Sequence, residues 1–538
     1  MNKLIAIVFV VATSLTAHLM FSRFGFNPTD DGYHLAGARR IVDGQIPHRD
    51  FVTIRPPLTF YLHAPVVAWG GEHTLMISRY VVWAEISITV LAWLMIANKS
   101  LRLDLFKSLS GVFFFFLAGS LAFIYNSHNF PIMAWNTIDA ILFSSLGIWL
   151  IVDAKSKRTR VLGYMLVGAT PLFRQSFVFF PMATFLILFK KKHFIESLSM
   201  AVPGLLYIGF LLITQALSPA ITQLVSYSEF SFSYLLDARF TYPLLAGIFI
   251  GWLSRSKNNA VQALSIIFAI LFFTKVSSSL RAAGIFIGQY SYYLQSFGLG
   301  WLMTTYSSFK SRRAVITLIL LTLALSITSS ISLGYRSVAL ASGTMTIGVL
   351  AMLYSKIHQN RLLLILSFPL FIILFLNSTG DYIFSRTNGV YRDKTAPFLT
   401  YDLGPALPGA TGILTNKLTH DYLMDLQKIT ESVDRTYMIM PDNAIHWMSS
   451  QQPNPLSIDW PQSTELTNPM VMSRVKNELL DHLDRGGVVI VQKVSASTLS
   501  NGAIELPKNQ YSLVNYTKNN YQKISESEFF EVYAGDTI

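Results

Sequence analysis

Membrane-length apolar runs recur along the first two thirds of this chain, and short basic segments separate them. A helix needs about 20 apolar residues to cross a bilayer, and several runs approach that length. The first, Met1 to Phe21, starts with Lys3 and reads IAIVFVVATSLTAHLMF. No small-residue cleavage site follows, so it reads as an uncleaved span with a cytoplasmic N-terminus. The polar segment from Ser22 to about His73 then lies outside. Spans near Leu75–Ala97, Leu109–Tyr125 and Ile132–Val152 follow, with basic groups at Lys99, Arg102 and Lys107 and again at Lys155–Arg160. Basic residues favour the cytoplasmic side, and these alternate as a multi-pass protein requires.

The next run, 161–189, is basic at both ends and interrupted by Pro171, Arg174 and Gln175. It predicts two short helices meeting near the outer face, because proline breaks the helical ladder. Further spans fall near Phe194–Thr214, Tyr242–Leu253, Val261–Thr274, Phe286–Thr305, Ala314–Leu333, Val338–Tyr354 and Leu362–Leu376. The pattern predicts an α-helical polytopic membrane protein of about thirteen spans. An odd count places the chain from Asn377 onward outside.

That tail reads differently. TYMIM and GGVVIVQKV are strand-like, while LTHDYLMDLQKITESV and SRVKNELLDHLDRG carry helical periodicity, the second stopping at Gly486. The closing YSLVNYTKNNYQKISESEFFEVYAG predicts two strands around Asn519-Asn520. The expected organisation is a transmembrane domain over 1–376 and a small extracytoplasmic α/β domain over 377–538.

Composition supports this reading. The 538 residues are 52% hydrophobic and 13% charged, against about 25% charged in soluble proteins. There is no cysteine, which removes disulfides, thiolate metal sites and cysteine nucleophiles. The net charge of +12 sits in the loops, which points to membrane topology rather than to nucleic acid.

The most informative chemistry is Asp30-Asp31, just past the first span. Carboxylates at a membrane rim are costly to desolvate, so a pair there is either a wet helix cap or a functional group. Tyr33–Val42 predicts an amphipathic helix at the interface, and Arg55-Pro56-Pro57 starts a second helix. Other outer-side candidates are His34, Arg55, Tyr125, Asn126, His128, Asn129, Arg174 and Gln175. Arginine suits a phosphate because its planar fork is bidentate and stays charged. Structural alternatives exist: Arg79 with Glu85 as an ion pair, Arg174 snorkelling or paired with Asp139, and Arg281 and Arg336 as solvated charges. The aromatic loops SYSEFSFSYLLDARFTY and GQYSYYLQSFG predict interfacial belts or the lining of a sugar or polyprenyl groove.

These features resemble the polyprenyl-phosphate-dependent glycosyltransferases of the GT-C fold, a group that includes protein O-mannosyltransferases and the aminoarabinose transferase acting on lipid A. The resemblance rests on four things. Asp30-Asp31 follows the first span; the loop DGYHLAGARRIVDGQIPHRDF leads into RPPLTFYL; the parity is N-in, C-out; and the tail contains MPDNAIHW and NPLSIDWPQSTEL. It implies transfer of a sugar from a lipid-phosphate carrier to an acceptor hydroxyl on the outer face of a bacterial inner membrane, with inversion. It implies Asp30 as the base, with Asp31 as its alternative or positioning partner. Arg55 and Arg174, then His34 and His128, would contact phosphate. Many members carry a second acid in a later external loop, but YNSHNFP offers none and Asp139 reads as too deep. No metal-binding motif of the oligosaccharyltransferase kind is present, so no divalent metal or other cofactor is expected to be required. The implied partners are membrane lipid, the lipid-linked sugar, and a glycan, lipid or protein acceptor. The rival readings are an envelope polymerase or ligase and a lipid-linked-sugar transporter. Against a transporter stand the absence of repeated halves and the position of most charges at the outer rim.

Overall fold

A computed structural model describes residues 2–128, 130–225, 241–282, 290–305, 312–331, 341, 343–358, 360–463, 465–507 and 511–535. Asn129, Arg336, the aromatic segment 226–240 and Gly288-Gln289 lie outside the described residues.

Eight helices among these residues are long and apolar enough to cross a membrane, the first Lys3–Phe21 and the last Leu362–Asn388. Shorter apolar helices at Leu58–Trp69, Gln175–Leu188, Thr241–Leu253 and Gly343–Ile357 take up other runs that the sequence reads as crossings or interface segments. Within the described residues they are shorter than the roughly 20 residues that span a bilayer.

The elements that build the site come from the first part of the chain. These are α1 (Asn2–Phe21), α2 (Asp30–Val42), α3 (Leu58–Trp69), α4 (Thr74–Leu101), α5 (Leu109–His128), α6 (Asn136–Asp153), α7 (Lys157–Ala169) and α8 (Phe179–Leu188). The interrupted run does form two short helices, α7 and α8, with 3-10 turns at Thr170–Leu172 and Gln175–Val178 between them. Helices α6 and α7 meet backbone to backbone: a Cβ on Gly147 would lie 2.8 Å from the Gly163 carbonyl. Small residues allow such approach, which matters where no hydrophobic effect drives helices together. Buried Trp83, Trp93, Phe115, Phe173, Phe177 and Trp301 fill the helical core, and the Trp83 and Trp93 ring N–H groups donate to Ser22 and Ser145.

The last long helix, Arg361–Asn388, runs twelve residues past Leu376, where the sequence reading ends the membrane part. Its polar continuation is held by side chains: Ser378 meets Ser277, Tyr382 meets Ser127, and Ser385 meets His128. Hydrogen bonding on one face thus extends a helix that has lost its apolar character.

All six described strands follow it. β1 (Tyr401–Asp402) pairs antiparallel with β2 (Leu414–Thr415). A four-stranded sheet has the order β3-β4-β6-β5, from β3 (Tyr437–Met440), β4 (Val488–Gln492), β5 (Gln522–Glu526) and β6 (Phe530–Ala534). β3 and β4 are parallel; β4 with β6, and β6 with β5, are antiparallel. Every residue of β4 is buried, because helices cover both faces. That explains its unbroken apolar run. The expected turn at Asn519-Asn520 is instead the end of a helix, Ser512–Asn520, and the hairpin turns after Glu526. The helix takes Leu513 and Val514 to the sheet, a 3.6-residue pattern hidden in a Tyr- and Asn-rich segment.

The parallel β3–β4 connection, 441–487, contains both MPDNAIHW and NPLSIDWPQSTEL. Its first half lies over α2. A Cβ on Gly32 would lie 2.2 Å from the Ile445 backbone, so only glycine permits this seat. Nine of the thirteen residues of α2 are buried. It is therefore a clamped helix, covered on the Gly32 side by the tail.

Candidate functional site

The adjacent aspartates at the start of α2 have different surroundings. Asp31 is buried, its Oδ1 3.1 Å from an Arg79 Nη2 of α4 and its Oδ2 accepting the Asn27 N–H at 2.8 Å. Burial pushes its carboxyl above the ordinary range and Arg79 pulls it back. Asp30 is half-buried and held through one oxygen only: Oδ2 accepts from the Tyr391 hydroxyl at 2.8 Å and meets an Arg392 Nη1 at 2.6 Å. Its Oδ1 takes part in neither of these contacts. A small cleft of about 50 Å³ lies alongside, lined by Asp31, Arg79, Arg386 and Tyr391 together with apolar groups.

One turn further along α2, His34 is buried between the rings of Tyr33 and Phe60, and its Nδ1 has no partner. Burial, with the Arg55, His63 and Arg174 charges nearby, holds it well below the usual histidine range, so it is neutral at physiological pH. Arg55 stacks on Tyr33, 4.7 Å from the ring centroid, and pairs with Glu465 of the tail at 3.0 Å. Its Nη1 is buried without a partner. Burial pushes Glu465 up, against the pull of Arg55. Arg174, in the break between α7 and α8, donates to Thr137 at 2.5 Å and Asn136 at 3.4 Å on the first turn of α6. Gln175 donates to the Ile54 carbonyl at 2.5 Å, tying that break to the strand-like segment before α3. The structure thus sets Arg55 and Arg174 near His34 and ties Gln175 to the backbone just before Arg55.

An apolar groove of about 510 Å³ is lined by residues close in sequence to these cations. Its lining includes Pro57, Leu58 and Tyr61 just after Arg55, Leu172 just before Arg174, and Tyr207 and Phe210 on the far side.

Three expected residues lie elsewhere. Tyr125 is buried among helices, sharing a hydrogen bond with Ser277 at 2.8 Å. Asn126 is buried against Gly343. His128 meets Ser385 at 2.8 Å. All three knit α5 to later helices; they come at the end of α5, where a short loop reading suggested outward exposure. The expected Arg79–Glu85 pair does not form. Six residues apart, the two face different sides of α4, since only i+3 and i+4 positions are neighbours. Arg79 serves Asp31, and Glu85 lies near His63 and Asp139. Asp139 pairs with His63 at 3.3 Å rather than with Arg174.

The tail supplies groups the sequence reading left without a role. Asp442, of MPDNAIHW, is buried and accepts from the Trp460 ring N–H at 2.7 Å. Burial, with the Asp30 charge adding, pushes its carboxyl up to about 6. Asp459 forms a buried bidentate pair with Arg40 of α2, 2.7 Å at its shortest. Asp442, Asp459, Trp460 and Glu465 all come from the two quoted tail motifs, which was the available signal.

No known family profile matches the chain, and no curated protein does. Among solved structures it is similar to ArnT from Cupriavidus metallidurans in the apo state, at 12% identity. The match covers 98% of this chain and 97% of that one, with a TM-score of 0.42. That likeness is loose, and the functional reading rests on the geometry above.

Proposed function

We propose that this chain is a membrane glycosyltransferase that moves a sugar from a polyprenyl-phosphate carrier to an acceptor hydroxyl at the outer face of a bacterial inner membrane. The observation that carries the reading is a pair of arginines, Arg55 and Arg174, held near His34 of the helix that begins with the aspartates, with an apolar groove lined by their sequence neighbours Pro57 and Leu172. A lipid phosphate needs this combination: a fixed positive fork for the headgroup and an apolar channel for the chain.

In this reading Asp30 takes the acceptor proton on Oδ1 while Tyr391 and Arg392 hold Oδ2. The acceptor oxygen bonds to the anomeric carbon from the face opposite the phosphate, and the bond to the phosphate oxygen breaks with its electron pair. Polyprenyl phosphate leaves, its growing charge met by Arg55 and Arg174. Asp31 positions α2 through Arg79 rather than acting as the base. In this reading the N-terminus is cytoplasmic and the tail outside, the arrangement that the distribution of basic loops favours.

The test is turnover by the purified full-length protein given polyprenyl-phosphate sugars, followed as free polyprenyl phosphate. Wild type should release it and Asp30→Asn should not. Normal turnover by a folded, donor-binding Asp30→Asn variant would remove Asp30 as the base. A reporter fused after Ile538 that is active only in the cytoplasm would overturn the outer-face placement.

A further inference from the structure

Below the arginines, three side chains from three helices converge: His63 of α3, Glu85 of α4 and Asp139 of α6. One ligating atom from each lies within 4.8 Å of the other two. All three side chains are buried, at 0%, 4% and 0% exposure. His63 Nε2 is 3.3 Å from Asp139 Oδ1. The remaining atoms, His63 Nδ1, Glu85 Oε2 and Asp139 Oδ2, have no hydrogen-bond partner. Among the described residues, no lysine or arginine forms an ion pair with either carboxylate. Buried carboxylates are expensive, and proteins offset them with a paired cation, a shared proton or a metal ion. No lysine or arginine does so here, and His63 balances at most one of the two carboxylates, and only when protonated.

We propose that His63, Glu85 and Asp139 bind one divalent first-row transition ion, with Zn²⁺ the best fit. An imidazole with two carboxylates is a donor set that Zn²⁺ accepts, leaving a fourth position open. With metal–ligand bonds of about 2.1 Å, donor atoms in a tetrahedral site lie about 3.4 Å apart. The three groups need only rotamer-scale closing to reach that spacing. The ion would offset the two carboxylates. Asn136, which Arg174 contacts, lies one helical turn before Asp139. The bound charge would therefore sit in the wall of the site that holds the arginines and reinforce its attraction for an anion. The sequence reading expected no metal because these ligands share no motif: each comes from a different helix.

The site is tested without turnover. Full-length protein in nanodiscs is stripped with a chelator, titrated with Zn²⁺ or with Co²⁺ as a spectroscopic probe, and its metal content measured after desalting. Wild type should retain about one equivalent and show ligand-field bands of low-symmetry Co²⁺. Glu85→Gln and Asp139→Asn should each weaken retention at least tenfold, and His63→Gln should alter the Co²⁺ spectrum. Size-exclusion profiles identify any variant that fails to fold, and the wild-type titration decides the question alone if all three fail. Wild type that retains neither ion overturns the proposal. So does an infrared carboxylic-acid band in metal-treated wild type that disappears in Glu85→Gln, since it would show a shared proton. Donor turnover enters none of these readouts, so the metal site and the glycosyltransferase reading fail separately.

Discussion

Asp31 and Arg79 form a buried ion pair at 3.1 Å that fixes the start of α2 against α4. The pair separates two adjacent carboxylates into a structural one and an available one. Removing one partner of a buried pair leaves the other charge uncompensated, which costs about 3–5 kcal/mol. Asp31→Asn should therefore lower the unfolding temperature markedly, and adding Arg79→Met should not restore it, because Arg79 also donates to the Ser22 and Gly25 carbonyls. Equal stability of Asp31→Asn and wild type in thermal unfolding would sink this assignment.

Asp30→Asn should behave oppositely. It leaves the fold intact and lowers the transfer rate by about 10²–10⁴, the usual weight of a general base. The two aspartate variants thus separate in a paired measurement of stability and turnover.

Arg55 offers a planar fork with one buried, unpartnered nitrogen. Lysine keeps the charge and loses the fork. Arg55→Lys should raise the KM for donor about tenfold or more with a smaller change in kcat. An unchanged KM would place the phosphate elsewhere.

Gly32 meets the Ile445 backbone where a Cβ would come within 2.2 Å. Gly32→Ala should push the tail off α2, costing on the order of 1–3 kcal/mol as overpacking does. Limited proteolysis should then cut the tail faster while the helical part stays intact.

His48 lies between α2 and α3, with Nδ1 2.8 Å from Gln223 and Nε2 2.8 Å from the Tyr207 hydroxyl. Burial lowers its pKa from 6.5 to about 4. The folded state thus prefers the neutral ring, so its contribution is complete above about pH 6.5 and is lost as pH falls towards 4. The shift corresponds to about 3 kcal/mol at most. His48→Gln should flatten the stability profile between pH 7 and 4.5; an identical slope would show that other groups govern the acid limb.

Much of the helical layout was legible because hydropathy has a long period and few competing explanations. The break at Pro171–Gln175 and the helix start after Pro57 followed from proline chemistry alone. The site was legible in part. Asp30, His34, Arg55 and Arg174 stood out as charges beside apolar runs. Their partners did not: Tyr391 and Arg392 are distant in sequence and ordinary in local context, and Glu465, though inside a quoted tail motif, is equally distant. Tyr125 and His128 misled for the converse reason: a polar residue at a helix end looks outward until the neighbouring helices are known. The trio His63, Glu85 and Asp139 carries no spacing signal, since ligands from separate helices leave no motif.

The contacts around α2 also set a timetable. Asp30 meets Tyr391 across 361 residues, and Arg40 meets Asp459 across 419. During synthesis the helix bearing the acid is made early, while its clamps leave the ribosome last. A nascent chain carries the aspartate for most of its translation without a finished site. Truncated products would be inserted yet inert, and premature termination anywhere before the tail would yield a silent protein rather than an uncontrolled one.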